Sequence, residues 1–245
     1  MPAFAVVVLS QQGTKHLAEC LKSVAWADEI LLLHSGGGAP ALGESEFPGL
    51  VVRALAAPAD AEKYSAEIRS DWVLHLWGDE RVDARLAAEL QALRRGGPPN
   101  PAGYRIRVRS YILGEWIEGS VSGPSPALRL AGKAQEFPSG WWEKEDNSLN
   151  LAGGWIEDYG CSDLGDAVER VQEVSRFWAG RLLQAAPAPG AGEAVFASLG
   201  VFLKMFFFHR FFARGLAGIT LSALASYAVL LSGAKLWEAR RAPKG

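Results

Sequence analysis

Residues 73–82 read VLHLWGDERV. The apolar run Val73, Leu74 and Leu76 ends in two carboxylates, Asp79 and Glu80. This is the pattern of a buried strand that delivers acids to its C-terminal end, where α/β sheets collect ligands. Mg²⁺ and Mn²⁺ take hard oxygen ligands, commonly one or two carboxylates together with phosphate oxygens and water. The usual pair would be two carboxylates separated by one residue. Trp77 stands two positions before Asp79 and cannot ligate. The competing reading is that Asp79 and Glu80 cap a helix starting near Asp83. A second charged pattern is RIRVRSY, which places Arg105, Arg107 and Arg109 on one face of a strand. With Arg129 they can bind phosphates or acidic groups. The alternative is a solvated strand face.

These residues need a scaffold. Residues 4–9, FAVVVL, form an apolar run of strand length and not a leader peptide, since no basic region or cleavage site accompanies it. Leu17, Cys20, Leu21 and Val24 recur at helical spacing. Ile30–Leu33 is a second buried strand running into His34, Ser35 and glycines. LVVRAL at 50–55 and DWVLHLW at 71–77 are further strands, and AEKYSAEIRS at 61–70 reads as a helix. Alternating strands and helices imply a mostly parallel sheet, with ligands at strand ends Ser10, 34–38 and 77–80. Helices are expected at 83–95 and 164–183 and strands at 103–113 and 126–130, with GEWIEG as a turn. Residues 135–160, rich in Gly, Trp and acids, read as loops.

The chain has 245 residues, a net charge of −2 and two cysteines. No basic field argues for nucleic acid, and Cys20 and Cys161 form no disulfide framework or metal pattern. The tail differs in character. VFASLGVFLKMFFFHRFFARG is followed by twenty uncharged residues, 215–234, with Arg214 before and Lys235, Arg240 and Arg241 after. That length can cross a bilayer. The alternative, less favoured by this pattern, is a buried helical hairpin. The expected division is 1–184 catalytic, 185–193 linker and 194–245 hydrophobic and membrane-associating.

LAECLKSVAWADEILLLHSGG, DWVLHLWGDERV, GYRIRVRSYILGEWIEG, ALRL and AKLWE follow one another in order. This ordered set resembles the bacterial family 2 glycosyltransferases of the lipopolysaccharide-core glucosyltransferase type, over nearly the whole chain. The resemblance implies a GT-A-like α/β fold, with a mostly parallel twisted sheet flanked by helices and C-terminal hydrophobic helices. It implies a nucleotide-sugar donor, a divalent cation (Mg²⁺ or Mn²⁺, here weakly bound), and inverting transfer to an envelope glycan or lipid-linked acceptor. It places the protein in the cytoplasm at the inner membrane, peripheral or integral, and leaves homo-oligomer formation open.

Carried over residue by residue, the resemblance assigns Asp79 to the metal and donor, and Ser10, His34, Ser35 and Lys63 to the nucleotide-sugar. It makes Glu143 the base, with Glu145 and Asp146 as substitutes; the neighbouring Trp141 and Trp142 either form a sugar-stacking platform or pack the loop. Arg109 and Arg129, by their charge, are the acceptor candidates together with Trp116, whose family-like LGEW turn puts it against either acceptor or core. Three family positions have changed. The first metal Asp is Trp77, the base-recognition Asp is His34, and the His before the presumed base is Trp142. Lys63 also reads as a solvated helix face and Glu143 as an exposed acidic loop. The rival function is a non-catalytic relative that binds a glycan or partner at the membrane.

Overall fold

The computed structural model describes residues 3–11, 13–37, 42, 47, 49–56, 60, 64, 66–96, 103–123, 125–132, 148–184 and 190–241. They fall into two compact units. The first unit holds those described residues that fall within 3–109, 125–132 and 148–159, and the second those within 110–123 and 160–241.

The strands are β1 (Phe4–Gln11), β2 (Glu29–Ser35), β3 (Leu50–Leu55), β4 (Trp72–Trp77), β5 (Glu80–Val82), β6 (Tyr104–Ile112), β7 (Glu115–Glu118), β8 (Ala127–Gly132) and β9 (Leu149–Asp158). Helices α1 (Leu17–Ser23) and α2 (Ala84–Gly96) belong to the first unit. The sheet order is β3-β2-β1-β4-β8-β6-β9-β5, with β7 on β6. β3, β2, β1 and β4 run parallel, whereas β8 is antiparallel to β4 and β6, and β5 to β9. The sheet is therefore mixed, an α/β architecture whose parallel part is its first four strands.

The apolar runs explain that parallel half. β1 and β4 are buried along almost their whole length, as strands covered on both faces must be. Phe4, Val6, Val8, Leu32, Leu74 and Leu76 share one core with Leu21 of α1 and Leu86 of α2. Each such side chain stabilises the fold by roughly 1.5–3 kcal/mol. In β6 burial alternates strictly, leaving Arg105, Arg107 and Arg109 together on the half-exposed face, as their spacing predicts.

Three expectations need correction. Within 135–160, residues 149–158 form β9, a strand hidden in the sequence by Gly153 and Gly154. A Cβ on Gly154 would stand 2.2 Å from Asp83 Oδ1 and 2.4 Å from Leu86 N, so α2 can cross the strand only where side chains are missing. GEWIEG contains β7, because the chain reverses at Leu113 and Gly114, both at positive φ, and pairs back on β6. The helix expected over 61–70 is also not borne out where it is described: residues 60, 64, 66 and 67 make short 3₁₀ turns and 68–70 are not helical, while 61–63 and 65 lie outside the described residues.

The second unit is dominated by α3 (Leu164–Gln184), α4 (Ala191–Leu203) and α5 (Gly215–Arg241). α5 packs against both α3 and α4. Among the described residues one helical stretch, Phe211–Arg241, is long and apolar enough to cross a membrane by length and composition, with mean hydropathy 1.6 over an 18-residue window.

Candidate functional site at the parallel strand ends

Ser10, His34 and Asp79 stand at or just beyond the C-terminal ends of the adjacent strands β1, β2 and β4. Ser10 is buried, with its Oγ 2.9 Å from His34 Nδ1. Ser35 Oγ donates to the Ser10 carbonyl at 3.5 Å. Burial pushes the His34 pKa below the ordinary imidazole value, so the ring is neutral at neutral pH. Its Nδ1 is engaged by Ser10, and Nε2 is the other ring position for a ligand. Gly36 and Gly37 follow at φ 95° and 118°, so this glycine loop uses backbone that side chains rarely adopt.

Gly78 fits the β4 end against β1. Its N–H donates to the Leu9 carbonyl at 2.7 Å, and a Cβ there would meet Thr14 Cγ2 at 2.8 Å and Ser10 Cβ at 3.1 Å. Asp79 comes next, half-buried. Its Oδ1 accepts the His16 N–H at a long 3.4 Å, and its carbonyl accepts the Tyr159 N–H at 3.0 Å. Asp79 is thus beside the start of α1. Helix α2 is capped by Asp83, whose Oδ1 accepts the Leu86 N–H at 2.7 Å.

Glu80 and Arg129 hold this turn from below. Glu80 is fully buried. Its Oε1 and Oε2 accept Arg129 Nη2 and Nη1 at 2.8 and 3.1 Å, and Oε2 also accepts the Trp77 N–H at 2.9 Å. Arg129 Nη1 lies 3.5 Å from the His75 carbonyl. Arg129, expected to meet the acceptor, is buried and committed to a bidentate pair beneath the strand ends, where it positions the Asp79 turn. Trp77 is 1% exposed and fills core. Position 77 therefore does not present a side chain beside Asp79.

Around Asp79 the structure gathers a cluster that the sequence did not reveal. Arg81 lies 4.1 Å over the Tyr159 ring and 3.1 Å from His16 Nδ1, and the His16 and Tyr159 rings are 5.3 Å apart. Tyr159 Oη donates to Glu157 at 3.4 Å. Burial, then the nearby Glu157 charge, raises the Tyr159 pKa, so the phenol stays protonated. Glu157 also pairs with Arg109, and Arg107 stacks 3.5 Å over Trp155. β5 and β9 build this cluster, with Arg81 opposite Glu157 in register. The available signal was the alternation of Trp155, Glu157 and Tyr159 on one face of an extended segment.

Lys63 and Glu143, with Trp141, Trp142, Glu145 and Asp146, lie outside the described residues. Trp116 is on β7 in the second unit, with its ring 5.2 Å from Tyr111. For a divalent cation, the strand end presents one carboxylate, Asp79, since both Glu80 oxygens are on Arg129. Among the described residues no group of three or more His, Cys, Asp or Glu converges as a metal site. The donor set fits a cation only if a ligand's own phosphate oxygens and water complete its shell.

No family model matches the chain. Among solved structures it is similar to residues 1–349 of S. aureus TarS in complex with UDP-GlcNAc, at 12% identity and TM-score 0.46, covering 98% of this chain and 92% of that one. The UDP complex of the same TarS fragment gives 13% identity and TM-score 0.45, covering 98% and 91%. Rv0371C of Mycobacterium tuberculosis H37Rv, in complex with manganese, gives 13% identity and TM-score 0.42, covering 69% and 97%.

Proposed function

We propose that this protein is a glycosyltransferase that moves a sugar from a nucleotide-sugar donor to a lipopolysaccharide-core or other envelope glycan acceptor, with inversion, at the cytoplasmic face of the inner membrane. One observation carries the reading. Ser10, His34, Ser35 and Asp79, chosen from the sequence for donor binding, converge on the carboxyl ends of neighbouring parallel strands, where α/β sheets bind nucleotides. Neutral His34 and the glycine loop suit a nucleoside, and Asp79 faces the diphosphate. A divalent cation held by Asp79 and the diphosphate would neutralise the leaving group. Arg81 and His16 add cationic or hydrogen-bonding groups at the same turn. Arg109 and Trp116 are the proposed acceptor contacts. Glu143 is the proposed base that takes the proton from the attacking hydroxyl. Glu143→Gln then lowers turnover by roughly 10²–10⁴-fold with little change in donor binding.

A second reading, a non-catalytic relative that keeps a ligand pocket, is favoured by the burial of Trp77 at the family's first metal position. The deciding experiment incubates the full-length chain with a panel of nucleotide sugars and Mg²⁺ or Mn²⁺ and measures nucleoside diphosphate release. Release from one donor, accelerated by a glycan acceptor, is expected. No release from any donor, with nucleotide still bound, establishes the second reading.

A further inference from the structure

The α4–α5 hairpin reverses the polarity of an ordinary soluble helix pair. Its seam is made of small and hydroxylated residues. A Cβ on Gly233 would stand 2.1 Å from Ala194 Cβ, so the helices touch there almost backbone to backbone. Ser198 and Ser226 bond reciprocally, each Oγ donating to the other's carbonyl at 2.9–3.0 Å. Close approach through Gly, Ala and Ser with serine bridges is how helices associate where hydrophobic burial gives no drive. The outward faces are apolar instead. Phe196 is 77% exposed and Leu216 71%, and Ile219 and Leu230 are also open.

The turn between the helices concentrates this feature. α4 runs into a π turn, Lys204–Phe208, then Arg210 in the left-handed region and a 3₁₀ turn, Phe211–Arg214. Phe208 is 85% exposed, and Phe207 and Phe212 are about half exposed. Lys204, Arg210 and Arg214 are exposed beside them. The sequence has no Asp or Glu between Glu193 and Glu238. Glu115 of β7 lines a pocket with Arg214, and against this one carboxylate the three cations leave the turn net cationic as well as apolar.

We propose that this turn docks into the interface of an anionic lipid bilayer, with the phenylalanines at the acyl boundary and the three cations on head-group phosphates. This deepens the membrane-surface part of the proposed function. The mode is monotopic. α4 with the π turn that continues it runs Ala191–Phe208, about 27 Å of helix, short of a hydrocarbon core of about 30 Å. α5 is long enough alone, but it returns antiparallel along α4. Its far end is fixed to α3 through Lys235 Nζ, which donates to Gln172 Oε1 at 2.9 Å and Ser175 Oγ at 2.7 Å. Phenylalanine and basic residues on one element are the composition of interfacial anchors. A second copy of this chain is a poorer occupant, because two identical cationic turns repel.

The test is co-sedimentation of the full-length protein with phosphatidylcholine vesicles with and without phosphatidylglycerol, at low and high salt. Binding is expected on the anionic vesicles and is weakened by salt. Replacing Lys204, Arg210 and Arg214 by Gln lowers affinity on the order of 10²-fold, from a contribution of roughly fivefold per cation. Phe207→Ser with Phe208→Ser abolishes binding, and circular dichroism confirms that both variants fold. An environment-sensitive dye on Phe208→Cys is quenched more by shallow than by deep lipid nitroxides. Equal binding to neutral vesicles, deep quenching, or a solution dimer that the Phe variants split without altering vesicle binding would overturn the proposal. Donor hydrolysis without vesicles separates the readings. Its loss in the wild-type protein removes the transferase and leaves the docking surface, and lost vesicle binding with hydrolysis intact does the reverse.

Discussion

At the β4–β5 turn, the Arg129 guanidinium lies in the protein interior, bidentate on Glu80. At the α4–α5 turn, Arg210 and Arg214 lie in the open among phenylalanines, with no carboxylate near them in sequence. The same side chain builds a site in one region and offers a surface in the other. A buried charge must be matched by hydrogen-bonded opposite charge, and then it fixes geometry. An exposed charge beside apolar side chains is matched by something outside the fold. Charge pattern alone does not separate the two cases, because Glu80 and Arg129 are far apart in sequence and meet only when β8 pairs with β4.

The largest effect expected at the first turn comes from Trp77→Asp. By family pattern the change restores a metal ligand. In this fold it places an unpaired carboxylate in core that the indole fills, so a loss of about 5 kcal/mol of stability is expected. Chemical denaturation measures it. A stable variant with tighter metal binding would show that the β4 end presents position 77 to ligand, and the contrast between buried and open turns would fail on that side.

Arg129→Met comes next. Removing one partner strands the Glu80 charge, a loss of about 3–5 kcal/mol. The double variant Glu80→Leu, Arg129→Met should recover much of it, because no buried charge remains, although the Trp77 N–H loses its acceptor. Additive losses in that double-mutant cycle would mean that the pair does not act as a unit. The tip cations should show the opposite behaviour, leaving stability unchanged and altering only vesicle binding.

The parallel half of the sheet was readable because its strands are continuous apolar runs and its helices keep a 3.6-residue period. β9 was not, since Gly153 and Gly154 serve packing against α2 and look like loop residues in one dimension. Ser10, His34 and Asp79 were readable as strand ends. The partners of Asp79 were not. His16, Arg81, Glu157 and Tyr159 come from three segments brought together by a three-residue strand, β5, too short to leave a periodic signal. Arg129 suggests a ligand contact in the sequence because an arginine on a strand looks the same whether its partner is a substrate or a glutamate.

Lys235 gives the smallest effect and sharpens the second region. Burial, then the nearby Arg176 charge, lowers its pKa to about 8 from 10.5. The folded state releases this proton near pH 8, while the unfolded chain keeps it to about pH 10.5. Between those values the unfolded state holds more protons, so stability rises with pH. The wild-type unfolding midpoint should therefore gain on Lys235→Met between pH 8 and 10. A constant difference would mean that the ammonium is as well solvated as in the unfolded chain, and that Lys235 is not buried against α3.

The central claim is that the ends of β1, β2 and β4 hold a nucleoside diphosphate through Asp79. Calorimetric titration of UDP into the full-length protein, with and without Mn²⁺, tests it most directly. Saturable binding is expected in the wild type, strengthened by Mn²⁺. Asp79→Asn should lower affinity by about tenfold or more, equivalent to at least ~1.4 kcal/mol, and abolish the Mn²⁺ effect. No binding of UDP or any other nucleoside diphosphate under either condition, or equal binding by Asp79→Asn, would contradict the account.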